Sequence, residues 1–165
     1  MPVTATVITF NEAANIRAAL ESLSWADEII VVDSQSTDGT PDLARQFTQK
    51  VIVRPWPGYS AQKNFAAGEA THDWIFSLDA DERVTPDLAR EIAGVLGAPR
   101  AAGYRVPRVT FHLGRWIRST DWYPDYQLRL YDRRRARWAG QHVHESVQAD
   151  GPVSDLRGEL LHYAY

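Results

Sequence analysis

Apolar positions in the first 96 residues fall into two alternating patterns. Val3 to Thr9 is rich in Val, Ile and Thr and reads as a strand. Glu28 to Asp33 (EIIVVD) is a continuous apolar run that ends in a carboxylate, and Trp74 to Leu78 (WIFSL) runs into Asp79-Ala80-Asp81. Runs of this kind suit parallel strands covered on both faces. Val51 to Val53 predicts a further strand. Between these runs the period lengthens. Asn11 is placed as the N-cap of a helix over about residues 12–23, with Ile16, Leu20 and Leu23 on one face. Thr40 is expected to cap a helix opening at Pro41, and a third helix covers about Ala61 to Glu69. Thr85-Pro86 opens a fourth, with Leu88, Ile92, Val95 and Leu96 on one side. The hexapeptide TPDLAR, at 40–45 and again at 85–90, reads as one helix-start chemistry used twice.

Strand and helix in alternation argue for a parallel α/β sheet. After Gly97-Ala98-Pro99 the character changes. Short strand-like pieces at Tyr104–Val109, Gln127–Tyr131 and His142–Val147 carry little helical period. The expected architecture is one domain in two halves: residues 1–97 around a mostly parallel central sheet flanked by helices, and a smaller mixed or antiparallel part over 98–165.

Composition narrows the chemistry. The absence of cysteine excludes a disulfide framework, thiol catalysis and cysteine-ligated zinc. No apolar run approaches the ~18 residues of a membrane-spanning helix, and the first residues lack a signal-peptide pattern, so a cytoplasmic protein is expected. Charge is divided unevenly. Residues 1–82 carry 5 basic and 12 acidic side chains, whereas residues 83–165 carry 13 and 9. The basic second half is either an ordinary solvated face or a surface for phosphate-bearing partners. The chain is not basic overall, which weighs against nucleic acid as a partner.

In open parallel sheets, ligands bind outside the carboxyl ends of the strands. Three polar clusters follow apolar strands: Thr9-Phe10-Asn11-Glu12, the stretch from Asp33 to Gly39, and Asp79-Ala80-Asp81-Glu82. All three are expected on one sheet edge, which makes that edge the candidate site. Two carboxylates at i and i+2 can share a hard divalent cation, with phosphate oxygens filling other positions. A polar turn is the plainer reading of the same residues. Neither GxGxxG nor GxxxxGK[ST] is present, so phosphates would be held by metal and basic side chains, Lys63 among them.

ITFNEAANI, VVDSQSTDGT, AQKNFA and SLDADE, in this order and at these spacings, resemble glycosyltransferase family 2. WYPDYQLRLY and VHE look like its bacterial branch acting on lipopolysaccharide core. The resemblance implies a GT-A fold, a nucleotide-sugar donor, a divalent metal (Mn²⁺ or Mg²⁺) and inversion at the anomeric carbon. It implies that Thr9, Asn11 and Glu12 border the nucleoside pocket. Asp33 would contact base or ribose, with Ser36 near it, and Lys63 would lie near base and diphosphate. Asp79 would face ribose and metal, and Asp81 would ligate the metal, with His144 completing its sphere and His162 a weaker candidate. Asp125 stands where the family keeps its catalytic base; Pro124 replaces the usual preceding acid, and Asp121 is the substitute. Trp116, Trp122, Tyr123 and Tyr126 are read as sugar-stacking or core residues. Residues 1–97 then form the nucleotide-sugar half and 98–165 the acceptor half, without the C-terminal tail of relatives.

The expected activity is an inverting, metal-dependent transfer from a nucleotide-sugar, UDP-sugar favoured by family alone, to a glycan or lipid-linked acceptor. Peripheral contact with the inner face of a membrane goes with such an acceptor. The competing classes are a non-catalytic nucleotide-sugar-binding module, a nucleotidyltransferase and a metal-dependent hydrolase.

Overall fold

The computed structural model describes residues 1–118, 123–140 and 145–163. Its frame is a single continuous sheet. The parallel part consists of β1 (Val3–Thr9), β2 (Glu28–Asp33), β3 (Val51–Val53) and β4 (Trp74–Asp79), in the order β3-β2-β1-β4. Helices α1 (Ile16–Glu21), α2 (Thr40–Ala44), α3 (Tyr59–Gly68) and α4 (Pro86–Leu96) lie between or after these strands. The sheet continues past β4 through β8 (Asp125–Asp132), β6 (Gly103–His112), β12 (Leu160–Tyr163) and β5 (Glu82–Val84). β8 runs antiparallel to both β4 and β6, so the two halves of the chain share one sheet across residue 97. β7 (Arg115–Ile117) and β11 (Val153–Asp155) add to β6, while β9 (Ala136–Ala139) and β10 (Ser146–Ala149) form a separate hairpin.

Strand alternation sorts the core into two layers. Val31, Phe76 and Leu78 point to the side of Ile16, Leu20, Leu88 and Ile92. Ile30, Val32 and Ile75 point to the side of Ala66, Ala67, Tyr131 and Trp138. Each fully buried large side chain contributes about 1.5–3 kcal/mol. These two layers therefore fix the register that brings the carboxyl ends of β1, β2 and β4 level with one another. Thr9 pairs with Asp33 on one side, and Ile8 pairs with Asp79 on the other.

Strand bounds follow the hydrophobic runs closely, but the helix starts do not. The first helix begins at Ile16, and residues before it form a turn in which Asn15 and Ile16 donate to the Glu12 carbonyl. Asn11 does not cap it. Asn11 has a left-handed backbone (φ 51), and its side-chain oxygen accepts from the Thr37 N–H instead. The repeated hexapeptide also has two outcomes. Thr85 caps α4 by accepting from the Leu88 N–H, as expected. Thr40 lies inside a five-residue helix whose N-cap position is Gly39, and its hydroxyl accepts from the Glu12 N–H. In each departure a loop side chain joins two neighbouring strand ends rather than closing its own helix. β5, whose first residue Glu82 the sequence places in the polar cluster after β4, is a strand because β12 pairs with it antiparallel. Among the described residues no helix is long and apolar enough to cross a membrane.

Candidate active site

The loops after β1 and β2 are tied together by side chains. Asp33 is fully buried, and its Oδ1 accepts from the hydroxyls of Thr9 and Ser36 at 2.6 Å each. Its Oδ2 accepts from the Ser36 N–H at 2.8 Å. The Ser36 hydroxyl in turn accepts from the Asn11 N–H at 2.7 Å. Three of the roughly four acceptor sites on Asp33 are thus used to shape the loop. Thr9, Asn11, Asp33 and Ser36 come together as one unit at the carboxyl edge.

The link from β4 to β5 carries the acidic cluster. Asp79 ends β4, Ala80 is buried beneath the turn, and Glu82 begins β5. Asp79 and Asp81 do not act alike. Asp79 Oδ1 lies 3.3 Å from Lys63 Nζ, and Oδ2 lies 3.3 Å from Arg129 Nη2. Asp81 instead faces His162, with Oδ2 at 3.1 Å from Nε2. The other ring nitrogen of His162 lies 3.3 Å from the Thr110 hydroxyl, and the Tyr163 N–H donates to the Asp81 carbonyl at 2.9 Å. β12 thereby delivers a histidine to the cluster through its pairing with β5 and β6.

Above these residues is a cleft of about 630 Å³, lined by Thr9, Glu12, Ser34, Lys63, Asp79 and Asp81. Phe10, Trp56 and Tyr59 also line it and are about half exposed, with the Trp56 and Tyr59 rings 4.7 Å apart edge to face. Lys63 is buried and stands over the Trp138 ring at 3.8 Å. Burial pushes its ammonium down, against the pull of Asp79 and Glu82. Burial works to raise the Asp79 carboxyl as well, but Arg129 and Lys63 outweigh it and hold it well below the usual carboxylate range. Glu12 moves the other way. Burial raises it, and the charges of Asp81, Asp38 and Asp79 add to that rise over the opposing hydrogen bond from Asn15. Asp79 is neutralised by two cations. Glu12 and Asp81 are left as a negative corner open to the cleft.

Asp125 stands at the start of β8, linked to this cluster by arginines. Arg108 Nε and Nη2 reach Asp125 Oδ2 at 3.0 and 2.8 Å, and Gln127 Nε2 donates to Oδ1 at 2.8 Å. The opposite edge of the Arg108 guanidinium reaches Glu82 Oε2 at 3.2 Å. Arg129 is buried, pairs with both oxygens of Glu82, and donates to the Ser77 carbonyl. Asp125 and Gln127 share one face of the strand by the two-residue period, and the register of β8 against β6 shifts at Arg129, where Leu128 and Leu130 pair with the adjacent Arg105 and Tyr104.

His144, His142, Asp121 and Trp122 lie outside the described residues. Trp116 packs at 5.2 Å from Phe111 and 5.3 Å from Tyr163, a small cluster at the ends of β6 and β12. Tyr126 is partly exposed, with Arg105 over its ring at 5.1 Å. Glu82, Arg108 and Arg129 carry much of the geometry and were not singled out from the sequence. The readable signal was Asp125-x-Gln127-x-Arg129, polar groups at period two inside a strand flanked by leucines.

The family description Glycosyl transferase family 2 matches residues 4–150. The chain is 34% identical over 171 residues to a lipopolysaccharide core biosynthesis glycosyltransferase, LpsC, of Rhizobium meliloti, covering 99% of this chain and 63% of that protein. It is 42% identical over 167 residues to an uncharacterized glycosyltransferase of Rickettsia felis, covering 96% and 58%. The chain thus spans about 60% of the length of these relatives. Among solved structures, glucosyl-3-phosphoglycerate synthase of Mycobacterium tuberculosis, in complex with Mg²⁺ and UDP, aligns with a TM-score of 0.67 at 15% identity, over 99% of this chain and 72% of that one. A mannosyltransferase of Pyrobaculum calidifontis, in complex with GDP-Man and Mn²⁺, aligns at 0.54 and 29% identity, over 66% and 35%. The fold is the GT-A arrangement of these neighbours.

Proposed function

Because the chain belongs to glycosyltransferase family 2, we propose that it moves a sugar from a nucleotide-sugar donor to a glycan or lipid-linked acceptor, with inversion and with Mn²⁺ or Mg²⁺ bound. A UDP-sugar is the favoured donor, and a lipopolysaccharide core saccharide is the favoured acceptor. The observation that carries this reading is the cleft itself. It joins an open acidic corner to a buried lysine at the carboxyl edge of the sheet.

The donor types at this corner suit a divalent cation, although among the described residues no group of three or more Asp, Glu or His side chains is gathered to hold one. Hard cations take oxygen ligands, and imidazole nitrogen suits Mn²⁺. Asp81 Oδ2 and His162 Nε2, paired at 3.1 Å, are the two such donors that already meet at this corner. In this reading Asp81 and His162 hold the metal, and Asp79 serves by keeping Lys63 and Arg129 in place. When bound, the ion would supply positive charge against the leaving diphosphate.

The chain's own groups do the rest. The loops tied through Asn11, Asp33 and Ser36 hold Thr9 and Ser34 in the lining of the cleft as the floor for the nucleoside, and Glu12 borders it. Lys63, shielded from water, offsets charge that grows on the diphosphate as it leaves. Asp125 has one acceptor site left after Arg108 and Gln127 are counted, and it takes the proton of the acceptor hydroxyl there. The hydroxyl oxygen bonds to the anomeric carbon as the bond from that carbon to the phosphate oxygen breaks. Attack from the opposite face inverts the configuration, by analogy with inverting hydrolases.

Incubation with UDP-, GDP- and ADP-sugars, Mn²⁺ and a delipidated lipopolysaccharide core oligosaccharide tests the reading. NMR of the product is expected to show an anomeric configuration opposite to the donor's. Binding of donor without transfer would instead indicate a non-catalytic nucleotide-sugar-binding module. His162→Ala is expected to raise the Mn²⁺ concentration needed for half-maximal UDP binding by at least about tenfold. An unchanged requirement would remove His162 from the metal site.

A further inference from the structure

Glu82 is the centre of the charged cluster and is itself closed to any ligand. It is fully buried. Its Oε1 accepts from Arg129 Nη1 and, at 2.9 Å, from the Asp79 N–H. Its Oε2 accepts from Arg129 Nη2 at 3.0 Å and from Arg108 Nη1 at 3.2 Å. Those bonds fill the roughly four acceptor sites of a carboxylate, so nothing is left for a metal or a substrate. Although it follows Asp79 and Asp81 directly, Glu82 does different work.

We propose that Glu82 is a positioning residue for the transfer. Through Arg129 and the Asp79 backbone it fixes the donor end of the site. Through Arg108 it fixes Asp125 at the acceptor end. One buried carboxylate thus sets the distance between the group that faces the leaving diphosphate and the group that takes the acceptor proton. The inference rests on the reading of Asp125 as the base.

The two ends differ in how much they depend on Glu82. Asp79 also has Lys63, and Arg129 also has the Ser77 carbonyl. Arg108, by contrast, is given two partners, Glu82 and Asp125, one on each edge of its guanidinium. Its side chain and that of Asp125 are partly exposed, 21% and 33%. Without Glu82 the Arg108–Asp125 pair is free to swing toward solvent. Stability alone is a weak reason for such a buried array, since apolar residues of similar volume often serve as well. Placement of a reacting group is a stronger one, because a shift of about 1 Å can cost on the order of a hundredfold in rate.

The test is a double-mutant cycle between Glu82→Gln and Asp125→Asn, read as kcat and donor KM with the donor and acceptor pair selected by the transfer assay. Glu82→Gln is expected to lower kcat on the order of a hundredfold and to leave donor KM within about threefold. In the Asp125→Asn background the same change is expected to cost almost nothing further. A loss from Glu82→Gln of equal size with or without Asp125 would mean a merely structural role and would overturn the inference. Wild-type turnover in Asp125→Asn alone would overturn the reading of Asp125, and this inference with it. If Glu82→Gln does not fold, Arg108→Gln breaks the same link from a partly exposed position. It is expected to show the same dependence on Asp125, and independence would count against the inference.

Discussion

Asp125→Asn is expected to lower kcat by about 10²–10⁴-fold while UDP affinity in the presence of Mn²⁺ stays nearly unchanged, the range typical of a lost general base. The substitution keeps the shape of the side chain and an oxygen for Arg108. It removes the charge and the lone pair that receive the acceptor proton. Asp125 is not among the residues that line the cleft proposed for the donor, and it is linked to Asp79 through Arg108 and Glu82. Donor binding should therefore be spared. Steady-state kinetics paired with calorimetric titration separate the two effects. A parallel loss of UDP affinity would mean that Asp125 belongs to the donor site, and full turnover would mean that another group takes the proton.

The second large effect is on stability. Arg129→Met is expected to destabilise the fold by about 3–5 kcal/mol, the usual result of stripping a buried ion pair of one partner. Arg129 is 2% exposed and Glu82 is fully buried, so neither charge has water to fall back on. Removal of the guanidinium takes one donor from each oxygen of Glu82 and one from Asp79 Oδ2, and leaves the buried Glu82 charge with Arg108 at 3.2 Å and the Asp79 N–H. For a chain of this size the loss should lower Tm by roughly 6–20 °C. Calorimetry or thermal circular dichroism measures it. A Tm within a degree or two of wild type would show that Lys63 and Arg108 can neutralise the cluster alone, and that Arg129 does not organise it.

What the sequence disclosed follows from where the information sits. The strands at Val3–Thr9, Glu28–Asp33 and Val51–Val53 were legible to the residue because short runs rich in β-branched residues are bounded there by polar and turn-forming residues. The three carboxyl-edge clusters were legible for the same reason, since each begins where such a run stops. Helix starts were less so. Asn11 and Thr40 are good caps by residue type, yet both spend their side chains on a neighbouring loop, and that choice depends on contacts between residues 26 and 28 positions apart. β5 was illegible because its partner β12 is contributed by residues 160–163. The same pairing is why the sequence offered His162 only as a weaker candidate. Nothing local to LLHYAY marks it as a neighbour of Asp81, whereas the antiparallel register of β12 against β5 makes it one. Glu82 was read as one acid among three. Only the insertion of β8, with Arg129 on its inner face, separates its role from that of Asp81.

Calorimetric titration of UDP into the wild type and Asp81→Ala, each with and without Mn²⁺, decides whether the acidic corner and Lys63 at the carboxyl edge form a metal-dependent nucleotide site. Binding by the wild type is expected to need Mn²⁺ and to be abolished by Asp81→Ala. UDP binding of equal strength in all four conditions would mean that the corner is not that site.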